Sequence, residues 1–176
     1  QSNSAKQNFT GGIGLTYNDG RNFFGFSADK LEAEYSLPGG EGVENRTTLN
    51  PTRNTFNFKS GISINSDLFE KVNIEGTVSE YSHAERVLAD KHNIEFFNDA
   101  YEFKTSLNHK SFFSNNTEGL IGFHYQNLDQ GAEGDEESHL TKTKTNSFGF
   151  FALEKFKYNS FETVSYTHLR AHETFG

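Results

Sequence analysis

The stretch Phe56–Asn65 reads FNFKSGISIN and carries a large apolar side chain at almost every second position. Phe56, Phe58 and Ile62 share one parity, whereas polar residues such as Lys59 share the other. Successive side chains of a β-strand point to opposite faces. The alternation therefore predicts a strand with one apolar and one polar face.

The same alternation recurs on both sides of this stretch. The segment 71–79, KVNIEGTVS, again separates apolar from polar side chains. Working outward, the pattern predicts strands over residues 9–17, 22–35, 53–65, 71–81, 95–109, 117–127 and 145–156. Short connections are expected at 18–21, 66–70, 110–116 and 157–160, and long connections at 36–52, 82–94 and 128–144.

Strict alternation of short and long connections is typical of hairpins that cross a membrane. Tight turns then lie on the periplasmic side and large loops lie outside. We therefore predict an all-β, antiparallel up-and-down transmembrane β-barrel. The barrel is expected to be incomplete, because about seven strands leave two unpaired edges and only closed barrels can span a bilayer.

Composition narrows the classes of function. The chain has 176 residues, a formal net charge of -8, 19 Phe, 7 Tyr and no Cys. The absence of thiols excludes disulfides, thiolate metal sites and Cys nucleophiles. The negative charge argues against nucleic acid as a partner, because phosphates attract Lys and Arg. The hydrophobic content of 33% fits a barrel with a polar lumen, and it also leaves a soluble β-sandwich open.

The second predicted strand contains one irregularity. Phe24, Phe26 and Ala28 share a face, but Leu31 and Tyr35 fall on the opposite parity. Two explanations are open: a β-bulge near Lys30, or the upper boundary of the membrane.

Several motifs, taken in order, resemble TonB-dependent outer-membrane receptors. They are Tyr35–Gly39 (YSLPG), Tyr81–Glu85 (YSHAE), Phe97–Glu102 (FNDAYE), Gly131–Glu137 (GAEGDEE), Thr141–Thr145 and Phe148–Glu154 (FGFFALE). The resemblance extends over about residues 9–162, and within the family the pattern is similar to outer-membrane zinc receptors.

This resemblance implies a barrel of about 22 strands in the bacterial outer membrane, filled by a plug domain. It implies uptake of a scarce nutrient, with a metal ion or metal chelate as candidate cargo, energised through TonB. The implied partners are outer-membrane lipid, the plug domain, TonB and a small extracellular ligand. The plug and the last strand of the barrel are expected outside this chain, and no resident cofactor is expected.

Two of the predicted extracellular loops carry groups that bind divalent zinc, which takes His nitrogens and carboxylate oxygens. We predict that these loops meet over the barrel mouth and form a site of two histidines and a carboxylate, with His83, His92 and His139 as the candidate metal ligands. The candidate ligand-binding residues are His83, Glu85, Asp90 and His92 in one loop and Asp135, Glu136, Glu137 and His139 in the other. Solvated charge on loops is the alternative interpretation.

Polar side chains on the strands are expected to face the lumen and to contact a plug. They are Lys59, Asn73, Glu75, Glu102, Lys104 and His124, whereas His109 is expected at the periplasmic interface. No enzyme is predicted, because the chain lacks both a Gly-x-Ser-x-Gly elbow and a phosphate-binding Gly-x-x-x-x-Gly-Lys loop.

The end of the chain has a different character. The run VSYTHLRAHET, from Val164 to Thr174, resembles the translated tail of a common sequencing adapter. We therefore divide the chain into a partial receptor barrel, residues 1–163, and a non-native tail, residues 164–176. His168 and His172 are excluded from any site on this ground. The second functional hypothesis is a small eight-stranded outer-membrane barrel with a structural or adhesive role, and the third is a soluble β-rich binding domain.

Overall fold

A computed structural model describes residues 6–37, 47–64, 66–87, 93–111, 116–134 and 141–176. The strands are β1 (Lys6–Asn18), β2 (Phe23–Ser36), β3 (Thr47–Ser63), β4 (Phe69–Val87), β5 (Asn93–His109), β6 (Thr117–Gly134), β7 (Thr143–Tyr158) and β8 (Phe161–Phe175). Within these residues, no helix has the length and apolar character needed to traverse a membrane.

All eight strands belong to one sheet, in the order β1-β2-β3-β4-β5-β6-β7-β8. Every neighbouring pair is antiparallel, which confirms the predicted all-β, up-and-down topology. In the described part of the chain, β1 pairs with β2 alone and β8 with β7 alone. The sheet is therefore open, with a free edge at each end.

The structure has one strand more than the seven that the sequence predicts. β8 pairs with β7 along its whole length, from Phe161 opposite Tyr158 to Phe175 opposite Lys144. It forms because its residues include strand-favouring Val, Tyr and Thr without Gly or Pro, and because β7 otherwise presents an unpaired edge. A strand of this composition forms whatever its origin, so the adapter assignment of residues 164–176 stays a prediction.

Three strands are longer than the sequence predicts, at the ends that lead into the long connections. Residues 47–52, 82–87 and 128–134, which were expected in long loops, belong to β3, β4 and β6. Pairing continues as far as Thr47 opposite Val87 and Ile94 opposite Gly134. Backbone pairing does not depend on which face is apolar, so these strands continue beyond the residues that carry the apolar alternation.

The short connections lie at one end of the sheet. Asp19 Oδ1 accepts hydrogen bonds from the backbone N–H groups of Arg21 (2.8 Å) and Asn22 (2.6 Å). Gly20 takes a positive φ of 87°, which the turn needs and which glycine adopts without strain. Hydrogen bonds also join successive turns: Ser63 N–H to Asn22 Oδ1 (2.9 Å), Lys110 N–H to Leu68 O (2.8 Å) and Lys157 N–H to Asn116 O (2.9 Å).

Directly opposite residues of an antiparallel pair share a face, so the register defines two faces across the sheet. The apolar face includes Ile13, Leu15, Phe26, Phe56, Phe58, Val78, Tyr101, Phe103, Tyr125, Phe148, Phe150 and Leu169. The polar face includes Ser27, Asn57, Lys59, Asn73, Glu75, Thr77, Glu102, Lys104, His124 and Gln126.

The apolar face is not covered by other parts of the described chain. Ile13 is 79% exposed and Phe150 is 62% exposed, although both lie on strands that pair normally. Within the described residues, only Leu49 and Ala132 are buried hydrophobic side chains. Across the described residues, the sheet therefore has no sealed apolar centre of the kind that a soluble β-sandwich builds.

The phase change in β2 is not a bulge. The register between β1 and β2 is continuous from Lys6 opposite Tyr35 to Asn18 opposite Phe23. The pairing with β3 keeps the same register on both sides of Pro51, which has no N–H to donate. The sequence left two explanations open for the parity change in β2. The β-bulge is excluded, and the upper boundary of the membrane stays a prediction.

Candidate functional site

The predicted ligand residues fall into two groups. His83 and Glu85 lie in β4 and not in a loop. They are close to its outer end, which is the end away from the short turns, and they share its polar face. The remaining candidates, Asp90, His92, Asp135, Glu136, Glu137 and His139, lie outside the described residues. Their approach to His83 therefore stays a prediction.

His83 packs against two aromatic rings. Its imidazole stacks on Phe96, the directly opposite residue of β5, with ring centroids 4.7 Å apart and an interplanar angle of 9°. Tyr81 lies on the same face of β4, with its ring centroid 5.6 Å from that of His83. This packing fixes the plane of the imidazole, so its nitrogens point in defined directions.

The two nitrogens of His83 have different surroundings. Nε2 lies 3.7 Å from Glu85 Oε1, whereas Nδ1 is shielded from solvent without a hydrogen-bond partner. One imidazole and one carboxylate supply two of the three or four protein ligands that zinc requires. Across the described ranges, no three His, Cys, Asp or Glu residues are arranged to hold a metal ion. Further ligands would have to come from outside the described residues, where the predicted candidates Asp90, His92, Asp135, Glu136, Glu137 and His139 lie.

Towards the strand ends away from the short turns, the apolar side chains move from the apolar face to the polar face. The charged residues Lys30, Glu80 and Asp99 lie in register with the apolar face, one step beyond its last large apolar side chains. From that level outward, most apolar and aromatic residues of β2 to β6 lie on the polar face instead, although Phe97 keeps the parity of the apolar face. We call this set the outer cluster: Leu31, Tyr35, Leu49, Pro51, Tyr81, His83, Phe96 and Ala132.

The outer cluster was not predicted from the sequence. It includes the two buried hydrophobic residues, Leu49 at 8% and Ala132 at 6% exposure. The only sequence signal was the phase change in β2, where Leu31 and Tyr35 switch parity. Recognising the cluster required the register of five strands, because its members come from β2 to β6.

Below the outer cluster, the polar face carries alternating charge across neighbouring strands. Lys59, Glu75, Lys104 and His124 are successive partners on β3, β4, β5 and β6. Lys59 Nζ lies 3.7 Å from Glu75 Oε2, and His124 Nε2 lies 2.8 Å from Glu102 Oε1. These residues, expected to face a lumen, do share one face, on which Lys59 lies beside Glu75 and His124 beside Glu102.

Three aromatic rings lie across glycines on the opposite strand. Phe23 faces Gly61, Phe97 faces Gly131 and Phe151 faces Gly122, each as a directly opposite pair. A Cβ built on any of these glycines would collide with the facing ring. A lysine covers each ring: Lys71 over Phe23 (5.1 Å), Lys142 over Phe97 (5.8 Å) and Lys104 over Phe151 (5.3 Å).

His109 lies at the end of β5 that carries the short turns, as predicted, but it is 2% exposed. Its Nε2 lies 2.9 Å from Glu154 Oε1 and its Nδ1 lies 2.7 Å from Lys110 O. Gly119 lies directly opposite, and a Cβ there would come within 2.8 Å of His109 Nε2. The glycine therefore provides the space in which the histidine and glutamate meet.

At the other limit of the apolar face, polar and aromatic groups are combined. The rings of Tyr125 and Phe148 pack with centroids 5.1 Å apart. The Tyr125 hydroxyl donates to Asn146 Oδ1 at 3.2 Å, and Asn127 Nδ2 donates to the same oxygen at 2.7 Å. Tyrosine with an apolar ring and a hydrogen-bonded hydroxyl is typical of a membrane–water interface.

Comparison with known proteins adds no assignment. No protein-family model matches the chain, and no curated protein matches its sequence.

Proposed function

We propose that this chain is a segment of a transmembrane β-barrel receptor of the TonB-dependent type, which binds a scarce nutrient outside the bacterial outer membrane and imports it. The observation that carries the proposal is the exposed apolar face, which continues across adjacent strands while the opposite face is polar. A sheet with these two faces suits a wall between lipid and a wet interior.

The size of the apolar face makes water an unsuitable environment for it. Burying one large aliphatic or aromatic side chain is worth about 1.5–3 kcal/mol. About ten such side chains on this face therefore represent roughly 20 kcal/mol, more than the 5–15 kcal/mol by which a typical domain is stable. Soluble proteins rarely leave so large a patch uncovered, so the face requires a cover. Lipid is the cover that also explains the polar opposite face.

The length of the strands favours a receptor with a substantial extracellular part. β4 has 19 residues, whereas about 9–11 tilted residues cross a bilayer. Its outer part, which contains His83 and Glu85, therefore extends beyond the membrane. The outer cluster places rings and a histidine on the side that would face an incoming ligand. A metal ion or metal chelate is the candidate cargo, and the plug and TonB enter through the family resemblance.

The number of strands supports a second candidate, a small eight-stranded barrel with a structural or adhesive role. Eight strands are enough to close such a barrel. A closed barrel of this size would pair β1 with β8. In the described residues these strands are the two free edges of the sheet, so the larger barrel is preferred.

The two faces can be tested with single cysteines, because the chain has none of its own. Thr77 and Val78 are consecutive residues of β4 on opposite faces. In phosphatidylcholine vesicles, a water-soluble maleimide should modify a Thr77→Cys variant much faster than a Val78→Cys variant. Equal rates in folded protein would contradict the membrane assignment. Sequence upstream of residue 1 separates the two barrels, because the receptor predicts a plug domain there and the small barrel predicts a nearby signal peptide.

A further inference from the structure

A trough of about 800 Å³ crosses the middle of the apolar face. Its lining includes two small residues, Ala28 on β2 and Gly76 on β4. A Cβ added to Gly76 would meet only Glu102 O within 4 Å, at 3.9 Å. The space above Gly76 is therefore open, unlike that above the glycines covered by rings.

Large apolar side chains form the walls of the trough. Gly76 lies between Phe58 on β3 and Phe103 on β5 in the register of the sheet. On the β2 side, the rings of Phe26 and Phe58 pack with centroids 4.9 Å apart. The lining extends from β1 to β6, a distance of roughly 24 Å at the usual spacing between strands. The trough is thus long and apolar.

We propose that this trough binds one acyl chain of a membrane phospholipid more tightly than the surrounding lipid surface does, an inference that rests on the proposed function. A linear hydrocarbon matches a long apolar trough in shape, and the large wall side chains, such as Phe56, Phe58 and Phe103, are apolar or aromatic. Strands of a barrel are tilted by about 45°, so a trough that runs across them is inclined by a similar angle. A chain that enters from one leaflet can follow it.

Charges at one rim suit the headgroup of such a lipid. Lys30 and Glu32 lie on the same face of β2 as Ala28, two and four residues further out, and their side chains form an ion pair at 2.5 Å. A zwitterionic headgroup offers a phosphate to the lysine and a cation to the glutamate. A second copy of the sheet is a poorer occupant, because two identical faces would place trough against trough and leave both empty.

Photolabelling tests the proposal. The chain is reconstituted in phosphatidylcholine vesicles that contain a small fraction of phosphatidylcholine with a diazirine in the middle of one acyl chain. After illumination, peptide mapping should find label concentrated at the residues of the trough. A Gly76→Phe variant, in which a ring fills the trough, should lose several-fold of that label. An Ile62→Phe variant is the control, because Ile62 lies on the same face outside the trough and is 37% exposed.

The outcomes separate this inference from the proposed function. Label spread evenly over the apolar face and unchanged in Gly76→Phe would refute a preferred chain site while still supporting a membrane barrel. Absence of label from the whole face would contradict the membrane assignment itself. A cross-linked dimer in place of lipid label would show that a second copy covers the trough, and would also refute the proposal.

Discussion

The ring of Phe151 lies over Gly122, its directly opposite partner in the β6–β7 pair, and occupies the space that a side chain at Gly122 would need. Lys104 from β5 lies over the same ring, 5.3 Å from its centroid. A glycine weakens a strand because it has no side chain to pack, and a ring from the facing strand compensates for this loss. The arrangement ties together three strands on the polar face.

We predict that Gly122→Val destabilises the protein, because the new side chain displaces the Phe151 ring and its contact with Lys104. Overpacking of this kind typically costs about 1–3 kcal/mol. The measurement is the free energy of unfolding in urea, followed by tyrosine fluorescence in phosphatidylcholine vesicles. Gly76→Val is the matched control, because Gly76 also lies in a strand but has open space above it. Equal losses in both variants would show that the ring over Gly122 contributes nothing specific.

A second prediction concerns His109, which contacts two hydrogen-bond acceptors, the carboxylate of Glu154 and the carbonyl oxygen of Lys110. His109→Ala removes both of these contacts from a site that is 2% exposed, and we expect a loss of about 2 kcal/mol in the free energy of unfolding.

The comparison for His109 is His124, which contacts Glu102 at a similar distance, 2.8 Å, but whose side chain is 25% exposed. Exposed ion pairs are worth about 0–1 kcal/mol. His124→Ala should therefore cost less than His109→Ala. A larger loss in the free energy of unfolding for His124→Ala would contradict this prediction. It would mean that the exposed pair on the polar face stabilises the protein more than the buried pair at the turn end of the sheet.

The fold was largely predictable from alternation, and its limits have identifiable causes. The pattern in Phe56–Asn65 predicted the two faces because it reports local strand geometry, which needs no partner. The predicted ends of β3, β4 and β6 were wrong, because the backbone pairing continues beyond the residues that carry the apolar alternation. The prediction of only seven strands was also wrong. An available sheet edge decides whether an eighth strand forms, and such an edge is not a local property of the sequence.

Contacts across strands could not be predicted in the same way. The stacking of His83 on Phe96 depends on a register that joins residues of two strands on either side of a connection. The sequence suggested His83 as a metal ligand but led to the prediction that it lies in a loop. Neither its ring partner nor the continuation of β4 is visible in the sequence. The outer cluster could not be predicted for the same reason, because it combines side chains from five strands.

A third prediction follows from the β1–β2 turn. Hydrogen bonds to the Asp19 carboxylate, the largest effect coming from the backbone N–H of Asn22 and the next from Arg21, lower the pKa of Asp19 below its usual 3.8. A lowered pKa in the folded state means that this group adds stability above the pKa of the unfolded chain. That stability is lost as the pH falls through the lower folded pKa.

Asp19→Asn should therefore destabilise the protein at neutral pH, and its deficit relative to the unmodified chain should shrink below about pH 4, where Asp19 becomes protonated in the unfolded chain. Unfolding in urea, measured from pH 7 to pH 2.5, provides the comparison. A deficit that stays constant over this range would show that the charge of Asp19 is not what stabilises the turn.

The last prediction concerns metal binding at the outer strand ends. His83 Nε2 and Glu85 supply two ligands 3.7 Å apart, and zinc needs at least one more, for which His92 and His139 are the candidates. We expect calorimetric titration with zinc chloride to show binding, and each of His83→Ala, His92→Ala and His139→Ala to weaken it by about tenfold or more, which corresponds to about 1.4 kcal/mol per variant. His124→Ala should bind zinc with unchanged affinity, since His124 lies lower on the polar face and is engaged by Glu102. Unchanged affinity in the first three variants would remove these histidines from the site and leave the outer cluster to recognise a ligand through its rings.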